Sequence, residues 1–445
     1  MWVEEIRLEN IRCFERTTIR LTNADNEPHR WVTFLGENGA GKSTLLQALA
    51  LLLAGPEGAS TLIPQPLGWL REESRAGKIG TRIHQGKRDP GKFGETKTSK
   101  SFGYTFFVTG SKSMKIRNKT YSEPQIVESS DTRLSWLRRN ALSSKNLGWF
   151  ASGYGAFRRL TRSSQIIVPS LDPQMRHTNF TTQFNEDHSL ATFERWMVYL
   201  DYRIAKADDK DAEYKKQIGI QAINRILPEG VDFDTVSPEG RILFRVNGRS
   251  VPTISLSDGY RSVLALVGDL VWRLMQAFPE SEDPLHEEGV VLIDELDIHL
   301  HPTWQRQIAQ WLRGQFPNIQ FIITTHSPLV ASGAGEDALT IATRMEDDKF
   351  VHERVDDVAA MNVDHILRSR AFRLVSSWSP QAVEKIQRFE GLRAARHRTR
   401  QEDTEYQTLL DFVEKARPYD PPPPQGTLDE KVDRFLREHL DDQDE

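Results

Sequence analysis

A glycine-rich stretch near the start of the chain has the residue types and the spacing of a phosphate-binding loop. Gly36-Glu-Asn-Gly-Ala-Gly-Lys-Ser fits the pattern GxxxxGK[ST] at every position, directly after a strand pattern and directly before a helical pattern. Such glycines let backbone N–H groups turn toward phosphates, and the N-terminus of the following helix favours an anion. The alternative is a chance glycine turn. The residues predicted to bind a nucleotide here are Gly36, Glu37, Asn38, Gly39, Ala40, Gly41, Lys42, Ser43 and Thr44.

The second chemical group is a pair of carboxylates at the end of an apolar run. Lys42 would neutralise the β- and γ-phosphates and Ser43 would ligate Mg²⁺, which leaves the metal in need of an acidic ligand. Val290-Val-Leu-Ile-Asp-Glu supplies it, with Asp294 holding Mg²⁺ through water and Glu295 activating the attacking water as general base. A buried strand with a polar end is the alternative. Together the two motifs predict an ATP-hydrolysing site with Lys42 and Glu295 as catalytic residues.

A third motif, Ser255-Leu-Ser-Asp-Gly-Tyr-Arg, precedes another helical pattern and makes a second anion cradle from Ser257 and Gly259. A single nucleotide cannot easily use two cradles of one chain. We therefore expect Ser257 and Gly259 to bind the nucleotide of a partner chain. The alternative is that Ser257 is an ordinary helix cap.

A histidine follows the last apolar strand pattern, Gln320-Phe-Ile-Ile-Thr-Thr. The carboxyl end of such a strand is where open α/β sheets bind ligands. His326 is therefore predicted to sense the γ-phosphate, as a third catalytic residue. A purely structural histidine is the alternative.

These residues require an α/β core to position them. Alternating residues 3–12 and 18–21 predict an N-terminal antiparallel hairpin, and residues 31–35 predict a buried strand followed by a helix over 43–54 that ends at Gly55-Pro56. The second half predicts helices over 262–278 and 303–315 and strands over 290–293 and 320–325. Between the halves, strands are expected near 101–109 and 240–246 and helices over 191–226.

The chain is predicted to divide into five parts. Residues 1–57 form an N-terminal ATPase lobe, 58–148 a basic insertion with strands, 149–250 a helical insertion with strands, 251–345 a C-terminal ATPase lobe, and 346–445 a helical tail. Within the tail, a Pro-rich linker over 418–426 precedes an amphipathic helix over 428–440, which would dock on a partner or fold back on the ATPase body.

Composition limits the possible classes of protein. One cysteine in 445 residues excludes an intrachain disulfide framework, and the N-terminus has no signal-peptide pattern, so we expect a cytoplasmic protein. The longest apolar run, over 45–54, is interrupted by Gln47 and is too short to span a bilayer, so no membrane partner is expected. The net charge of −5 gives no general reason to expect DNA binding.

The charge is unevenly distributed. Residues 71–145 hold 17 Lys and Arg against 7 Asp and Glu, whereas residues 441–445 are acidic. The basic stretch is either a solvated insertion or a surface for DNA or RNA, and both interpretations stay open.

The motifs GENGAGKST, LSDGY, VVLIDE and TTHSP occur in the order of ABC-type ATPases. The opening IRLENIRCFE resembles RecF and SMC-like proteins, and LSDGYRSVLALVGDL, IDELDIHLHPTWQ and FPNIQFIITTHSP are similar to the AAA-type ATPases of Septu and retron anti-phage systems. This resemblance covers the chain to residue 329 and more loosely to 377. It implies an ABC-type P-loop fold with a mixed or parallel central sheet, N-terminal antiparallel strands, a helical insertion and a helical tail.

The resemblance also implies a role. We expect an ATPase subunit of an anti-phage complex that forms a head-to-tail homodimer or higher homo-oligomer and controls a separate effector, a nuclease in the leading interpretation. Arg12 is placed near the base or ribose of the nucleotide by the same resemblance. The alternative is a RecF-like ATPase of DNA repair or DNA clamping; a transporter motor fits least well.

Two positions depart from the ABC pattern. His301 stands where the D-loop aspartate is expected, and the Q-loop glutamine is not identifiable. The candidates for that role are Tyr154, Arg158, Arg159, Gln174 and Gln183. His299 and His301 beside Asp297 also permit a metal site, as a minor alternative.

Overall fold

A computed structural model describes residues 1–89, 101–116, 119–129, 132–143, 149–157, 175–185, 192–374, 376, 378–395 and 397–416. The chain divides into two compact units, Met1–Leu374 and Val375–Glu445. The division into five parts stays a prediction. The predicted amphipathic helix over 428–440 and its Pro-rich linker lie outside the described residues.

The described secondary structure alternates strands with helices along the first unit. Its first half contains β1 Trp2–Ile11, β2 Phe14–Arg20, β3 Trp31–Gly36, α1 Lys42–Leu62, β4 Gly77–His84, β5 Ser101–Val108, β6 Met114–Ile116, β7 Lys119–Tyr121, β8 Ile126–Glu128, α2 Thr132–Asn140, β9 Phe150–Tyr154 and a 3₁₀ segment, Arg176–Gln183. Its second half contains α3 Thr192–Ala207, α4 Lys210–Asn224, β10 Val231–Val236, β11 Ile242–Val246, β12 Arg249–Pro252, α5 Asp258–Ala277, β13 Gly289–Ile293, α6 Pro302–Gln315, β14 Ile319–Thr325, α7 Pro328–Ser332, β15 Leu339–Glu346, β16 Lys349–Val355 and α8 Val363–Arg368.

The central sheet has six strands in the order β16-β15-β3-β14-β13-β9. All neighbours are parallel except β16, which runs antiparallel to β15. β3, β13 and β14 are buried along their whole length, which is the pattern of strands covered on both faces. The carboxyl ends of β3, β13 and β14 therefore meet at one edge, which is where the sequence places the predicted catalytic residues.

A second sheet, in the order β2-β1-β4-β5-β8, is antiparallel and confirms the N-terminal hairpin. Its strands alternate buried and exposed residues, because only one face packs on the core. The buried side-chain amide of Gln320 on β14 accepts from Val3 N at 2.7 Å and donates to Val3 O at 3.1 Å. This amide ties the second sheet to the central one.

Helix α1 is longer than predicted. It continues to Leu62 through a kink at Gly55, whose φ of 81° is left-handed, instead of ending at Gly55-Pro56. Pro56 has no N–H for the carbonyl one turn earlier, so the kink frees carbonyl groups inside the protein. The Tyr104 hydroxyl donates to Leu52 O at 2.8 Å, and Arg176 Nε donates to Leu53 O at 2.7 Å. Distant side chains thus replace the missing helical hydrogen bonds.

Replacing Arg176 by methionine should destabilise the protein by about 1–3 kcal/mol, because two buried carbonyls lose their donor. Arg176 is fully buried and also donates to Trp149 O at 2.8 Å; burial lowers its pKa to about 10. The thermal midpoint of the variant should fall, whereas Arg20→Met, at an exposed arginine, should leave it nearly unchanged. An unchanged midpoint in Arg176→Met would show that these carbonyls find other donors.

The region between the halves of the core is a helical hairpin, α3 and α4, next to the small antiparallel sheet β10-β11-β12. It packs on α5 through Trp196, whose ring stacks on Trp272 with centres 5.5 Å apart. This packing confirms the predicted helices and buries one face of α5.

The tail does not begin as a helix. β16 pairs with β15 through Asp347 and Asp348, whose φ values of 47° and 59° fit a two-residue hairpin turn of type I′. The expectation of helix throughout 346–445 is therefore wrong at its start. In the second unit, α9 Pro380–Ala394 and α10 Arg400–Ala416 pack through Phe389, Leu392 and Leu409.

Among the described residues, α1 alone is long and apolar enough to cross a membrane by length and composition, with a mean hydropathy of 1.3. Of that apolar window, 67% is buried inside the protein, which is typical of a core helix. The interpretation of residues 45–54 as part of a buried helix is confirmed.

Candidate nucleotide-binding site

The phosphate loop connects β3 to α1, as predicted. Gly39 and Gly41 have left-handed φ values of 76° and 74°. A side chain at Gly41 is excluded twice, because its Cβ would also lie 2.6 Å from Cys13 Sγ and 2.9 Å from Phe14 Cζ. Gly41 caps α1 without a side-chain hydrogen bond, so the first N–H groups of the helix keep their affinity for an anion.

Lys42 is buried at the centre of the site. Its Nζ donates to Gly36 O at 2.9 Å and to Glu37 O at 2.8 Å, and lies 3.1 Å from His326 Nε2. Burial lowers the pKa of Lys42 to about 8, although Asp294 and Glu295 oppose the shift. Burial, followed by the charge of Lys42, lowers the pKa of His326. At neutral pH the pair is thus a charged lysine beside a neutral histidine.

The two carboxylates follow β13 directly, and both depend on Thr324 of the neighbouring strand β14. Asp294 N donates to Tyr154 O at 2.8 Å, and its carboxylate accepts from the Thr324 hydroxyl. That hydroxyl also accepts from Glu295 N at 2.8 Å. Glu295 has a left-handed φ of 46°, which is uncommon outside glycine and turns the residue sharply away from the strand. Asp294 and Glu295 are thereby held beside the loop that carries Lys42.

Asp297 holds the loop that carries His326. Its carboxylate accepts from the Thr325 hydroxyl and from His326 N at 3.3 Å. Gln305 on α6 completes the support, since its Nε2 donates to Leu300 O at 2.9 Å and its Oε1 accepts from Ser327 Oγ at 2.7 Å. Asp297 is thus a positioning group for the histidine loop.

The two histidines considered for a metal site have other surroundings. His301 caps α6, and a Cβ on Gly259 would lie 2.7 Å from His299 O. In the parts of the chain that the structure describes, no group of three or more His, Cys, Asp or Glu side chains is arranged to hold a metal ion.

The sequence of this domain is similar to known protein families. Residues 32–332 match the family described as "AAA domain, putative AbiEii toxin, Type IV TA system", and residues 1–57 match the "AAA ATPase domain". The first match covers more than half of the chain. The chain belongs to this AAA family.

Curated relatives of this AAA protein are named as Septu and retron proteins. It is 24% identical to the Septu protein PtuA of Bacillus mycoides over 93% of this chain and 50% of that protein. It is 37% identical to the "Retron Vc95 probable ATPase" of Vibrio cholerae over 31% of this chain and 27% of that protein. The AAA chain thus spans about half the length of the first relative and less of the second. The resemblance to ATPases of Septu and retron systems is confirmed.

Among solved structures, the AAA chain is similar to an SMC head bound to the C-winged helix domain of ScpA. The two are 12% identical with a TM-score of 0.49, over 81% of this chain and 100% of that one. The predicted α/β fold is shown by the described sheets themselves, with their parallel central strands and antiparallel N-terminal strands.

The signature residues of the AAA chain lie at the N-terminus of α5. Ser257 is exposed and caps α5, accepting from Tyr260 N at 3.4 Å. This is the ordinary capping role considered as the alternative. Ser257 and Gly259 lie beside the turn at His299, which follows the two carboxylates. Their predicted contact with a partner's nucleotide stays a prediction.

Arg12 lies in the turn between β1 and β2, next to the phosphate loop. Its Nη1 donates to Thr44 Oγ1 at 3.2 Å and to Gln47 Oε1 at 3.0 Å, and its guanidinium carbon lies 4.5 Å from the centre of the Trp69 ring. Burial lowers the pKa of Arg12. The structure thus brings Arg12 together with one predicted nucleotide-binding residue, Thr44.

The Q-loop role still has several candidates. Tyr154 is buried and its hydroxyl donates to Asp269, so it does not face the nucleotide site. Among the candidates that the structure describes, Gln183 remains. Gln183 O accepts from Gln47 Nε2 at 2.8 Å, and within the described part of the chain the side-chain amide of Gln183 has no hydrogen-bond partner. This arrangement favours Gln183. Arg158, Arg159 and Gln174 lie outside the described residues.

The residues of the AAA domain fit a magnesium nucleotide. The first turn of α1 offers free N–H groups, Lys42 and the Ser43 hydroxyl, with no carboxylate to repel an anion. Asp294 follows the carboxyl end of β13, which is separated from β3 by one strand, β14, in the central sheet. Mg²⁺ typically binds one or two protein oxygens and completes its coordination with water and phosphate oxygens. Ser43 and Asp294 are such a pair.

The sequence did not predict the supporting roles of three residues, Thr324, Asp297 and Tyr154. The first two belong to quoted motifs, and a polar residue at the end of a buried strand was a usable signal for Thr324. Their partners are 28 and 30 residues away in sequence, so only the packed sheet reveals the hydrogen bonds.

Proposed function

We propose that the chain binds ATP with Mg²⁺ and hydrolyses it to ADP and phosphate. The observation that carries this proposal is the convergence of Lys42 and His326, 3.1 Å apart, with Asp294 and Glu295 at one edge of the sheet. Glycine-loop amides and Lys42 bind the phosphates, and Glu295 accepts the proton of the attacking water. His326 offers a neutral N–H to the γ-phosphate. Mg²⁺, held by Ser43 and through water by Asp294, supplies further charge compensation when bound.

The working form in this proposal is a head-to-tail homodimer, with higher assemblies built from it. The exposed position of Ser257 at the N-terminus of α5 supports it, because the first N–H groups of that helix face an anion from the surface. In such a pair each nucleotide lies between the phosphate loop of one chain and Ser257 and Gly259 of the other. Arg12 lies on the side of the base or ribose.

We place this activity in a cytoplasmic anti-phage complex in which the ATPase controls a separate nuclease effector. The support is that the curated relatives are named as Septu and retron proteins. A gene for a nuclease or a reverse transcriptase next to this one would support the defence role. An isolated locus, with DNA bound by the chain alone, would favour the RecF-like repair ATPase instead.

The dimer is tested by mixing two inactive variants, Ser257→Arg and Lys42→Ala. Each homodimer lacks one half of both sites, whereas a mixed dimer keeps one site with an intact loop and an intact signature. An equal mixture should therefore recover up to about a quarter of the wild-type hydrolysis rate, since half of the randomly formed dimers are mixed. Ser60→Arg, at an exposed serine on α1, is the matched control and should remain active without mixing.

The formation of mixed dimers is checked by co-purification through two different tags. If mixed dimers form and no hydrolysis returns, the two halves of the site do not come from different chains.

A further inference from the structure

A buried polar network connects three elements and is used by none of the roles above. The Tyr154 hydroxyl donates to Asp269 Oδ2 at 2.9 Å, Arg273 Nε donates to the same oxygen, and Arg273 Nη1 donates to Asn179 Oδ1. All four side chains are at least nine-tenths buried. Burial, followed by the charge of Asp269, raises the pKa of Tyr154, so its hydroxyl remains a donor.

Stability alone is a weak reason for such a network. Removing an ion pair from water costs free energy, and well-packed apolar side chains often stabilise a core as much or more. A buried charged network more typically fixes one relative arrangement of the elements that it joins. The four residues hold together β9, the 3₁₀ segment Arg176–Gln183 and α5.

Tyr154 joins the metal-ligand strand to the signature helix. It ends β9, and its carbonyl accepts from Asp294 N at 2.8 Å while its hydroxyl binds Asp269 on α5. Asp269 lies 12 residues after Ser257 in the sequence, and the rise of 1.5 Å per residue puts them roughly 16–18 Å apart along α5. Tyr154 therefore links the end of β9 directly to the helix whose N-terminus carries the signature.

The other end of the network reaches α1. Asn179 Nδ2 donates to Ala151 O at 3.0 Å, which fixes the 3₁₀ segment on β9. The same segment ends at Gln183, whose carbonyl accepts from Gln47 Nε2 on α1. Elements on both sides of the nucleotide site are thus tied to α5.

We infer that Tyr154 is a positioning residue that couples the nucleotide site of its own chain to the signature that this chain presents to its partner. This inference rests on the proposed head-to-tail dimer. Binding of ATP at one site then favours the arrangement of α5 that completes the other site, so the two sites act cooperatively.

The test is the ATP dependence of hydrolysis in Tyr154→Phe. The wild-type dimer should give a Hill coefficient clearly above 1, because coupling between sites typically changes affinity about 5- to 150-fold. The variant keeps its ATP site but loses the coupling, so its Hill coefficient should be about 1. Tyr104→Phe is the matched control, since it also loses one buried hydroxyl hydrogen bond, to Leu52 O, but does not contact α5. Its Hill coefficient should equal that of the wild type.

A second variant tests the same network in case Tyr154→Phe does not fold. Arg273→Lys keeps a charge beside Asp269 but cannot also reach Asn179 in the same geometry, and it should lower the Hill coefficient as well. A Hill coefficient of 1 in the wild type, or an unchanged coefficient in a folded Tyr154→Phe dimer, would overturn the inference. The mixing of Ser257→Arg with Lys42→Ala separates the two proposals. If mixing restores hydrolysis and Tyr154→Phe keeps the wild-type Hill coefficient, only the coupling is rejected. If mixing restores no hydrolysis, the dimer is rejected.

Discussion

Lys42→Ala should lose ATP binding, with affinity lower by about 30- to several-thousand-fold, because truncating one partner of a buried, hydrogen-bonded charge pair costs about 2–5 kcal/mol. Lys42 is buried and is the cation nearest to the place of the phosphates, and its Nζ is held by the carbonyls of Gly36 and Glu37. Because α1 supplies only N–H dipoles beyond it, nothing in the loop replaces its charge. Binding of a fluorescent ATP analogue measures the loss.

The pH dependence gives a second readout on the same residue. Burial lowers the pKa of free Lys42 to about 8, and bound phosphates must raise it again. ATP binding therefore takes up a proton above pH 8, and wild-type affinity should fall as the pH rises through that value. Lys112→Ala, at an exposed lysine, should keep both the affinity and this dependence. Wild-type affinity in Lys42→Ala would reject the whole site assignment.

The chemistry-bearing loops could be predicted from sequence because each is a local pattern. A phosphate loop needs glycines, a lysine and a helix start within eight consecutive residues, and the structure places Gly39, Gly41 and Lys42 accordingly. The three inner parallel strands β3, β13 and β14 could also be predicted, because they are buried on both faces and are largely apolar, whereas the parallel strands β9 and β15 were not predicted.

The predicted end of α1 was wrong because it depends on contacts between residues far apart in the sequence. Gly55-Pro56 is a reliable local signal for the end of a helix, yet α1 continues because Tyr104 and Arg176, 52 and 123 residues away, satisfy the freed carbonyls. The turn at Asp347 and Asp348 was missed for a different reason. Aspartate at two left-handed positions is a weaker hairpin signal than glycine, and β16 has no strict alternation of apolar and polar residues to mark it as a strand.

Apart from Thr324, the residues that support the site could not be assigned to that role from the sequence. Asp297 looks like a metal ligand beside two histidines, and only the packed sheet shows that it accepts from Thr325 and His326 N. Tyr154 likewise sits in a segment expected near the nucleotide, but its hydroxyl is buried against α5. Residue type and spacing therefore predicted the loops assigned to the nucleotide site better than the residues that hold those loops in place.

Glu295→Gln should bind ATP with near wild-type affinity and lose hydrolysis by about 10²–10⁴-fold, the usual contribution of a general base. Glutamine has the same shape as glutamate and the same preference against the left-handed φ of 46° found at this position. The backbone and the hydrogen bond from residue 295 N to Thr324 should therefore persist. It cannot accept a proton from water. With turnover blocked, the ATP-bound dimer should accumulate, as measured by light scattering after gel filtration.

The matched control is Glu336→Gln, at an exposed glutamate outside the motifs, which should hydrolyse ATP like the wild type. Phosphate release under single-turnover conditions distinguishes a slow chemical step from slow product release. If Glu295→Gln hydrolysed ATP at the wild-type rate, the proton would have to go elsewhere. His326, which is neutral beside the charged Lys42, would then be tested as the acceptor, with the expectation that His326→Ala, rather than Glu295→Gln, traps the dimer.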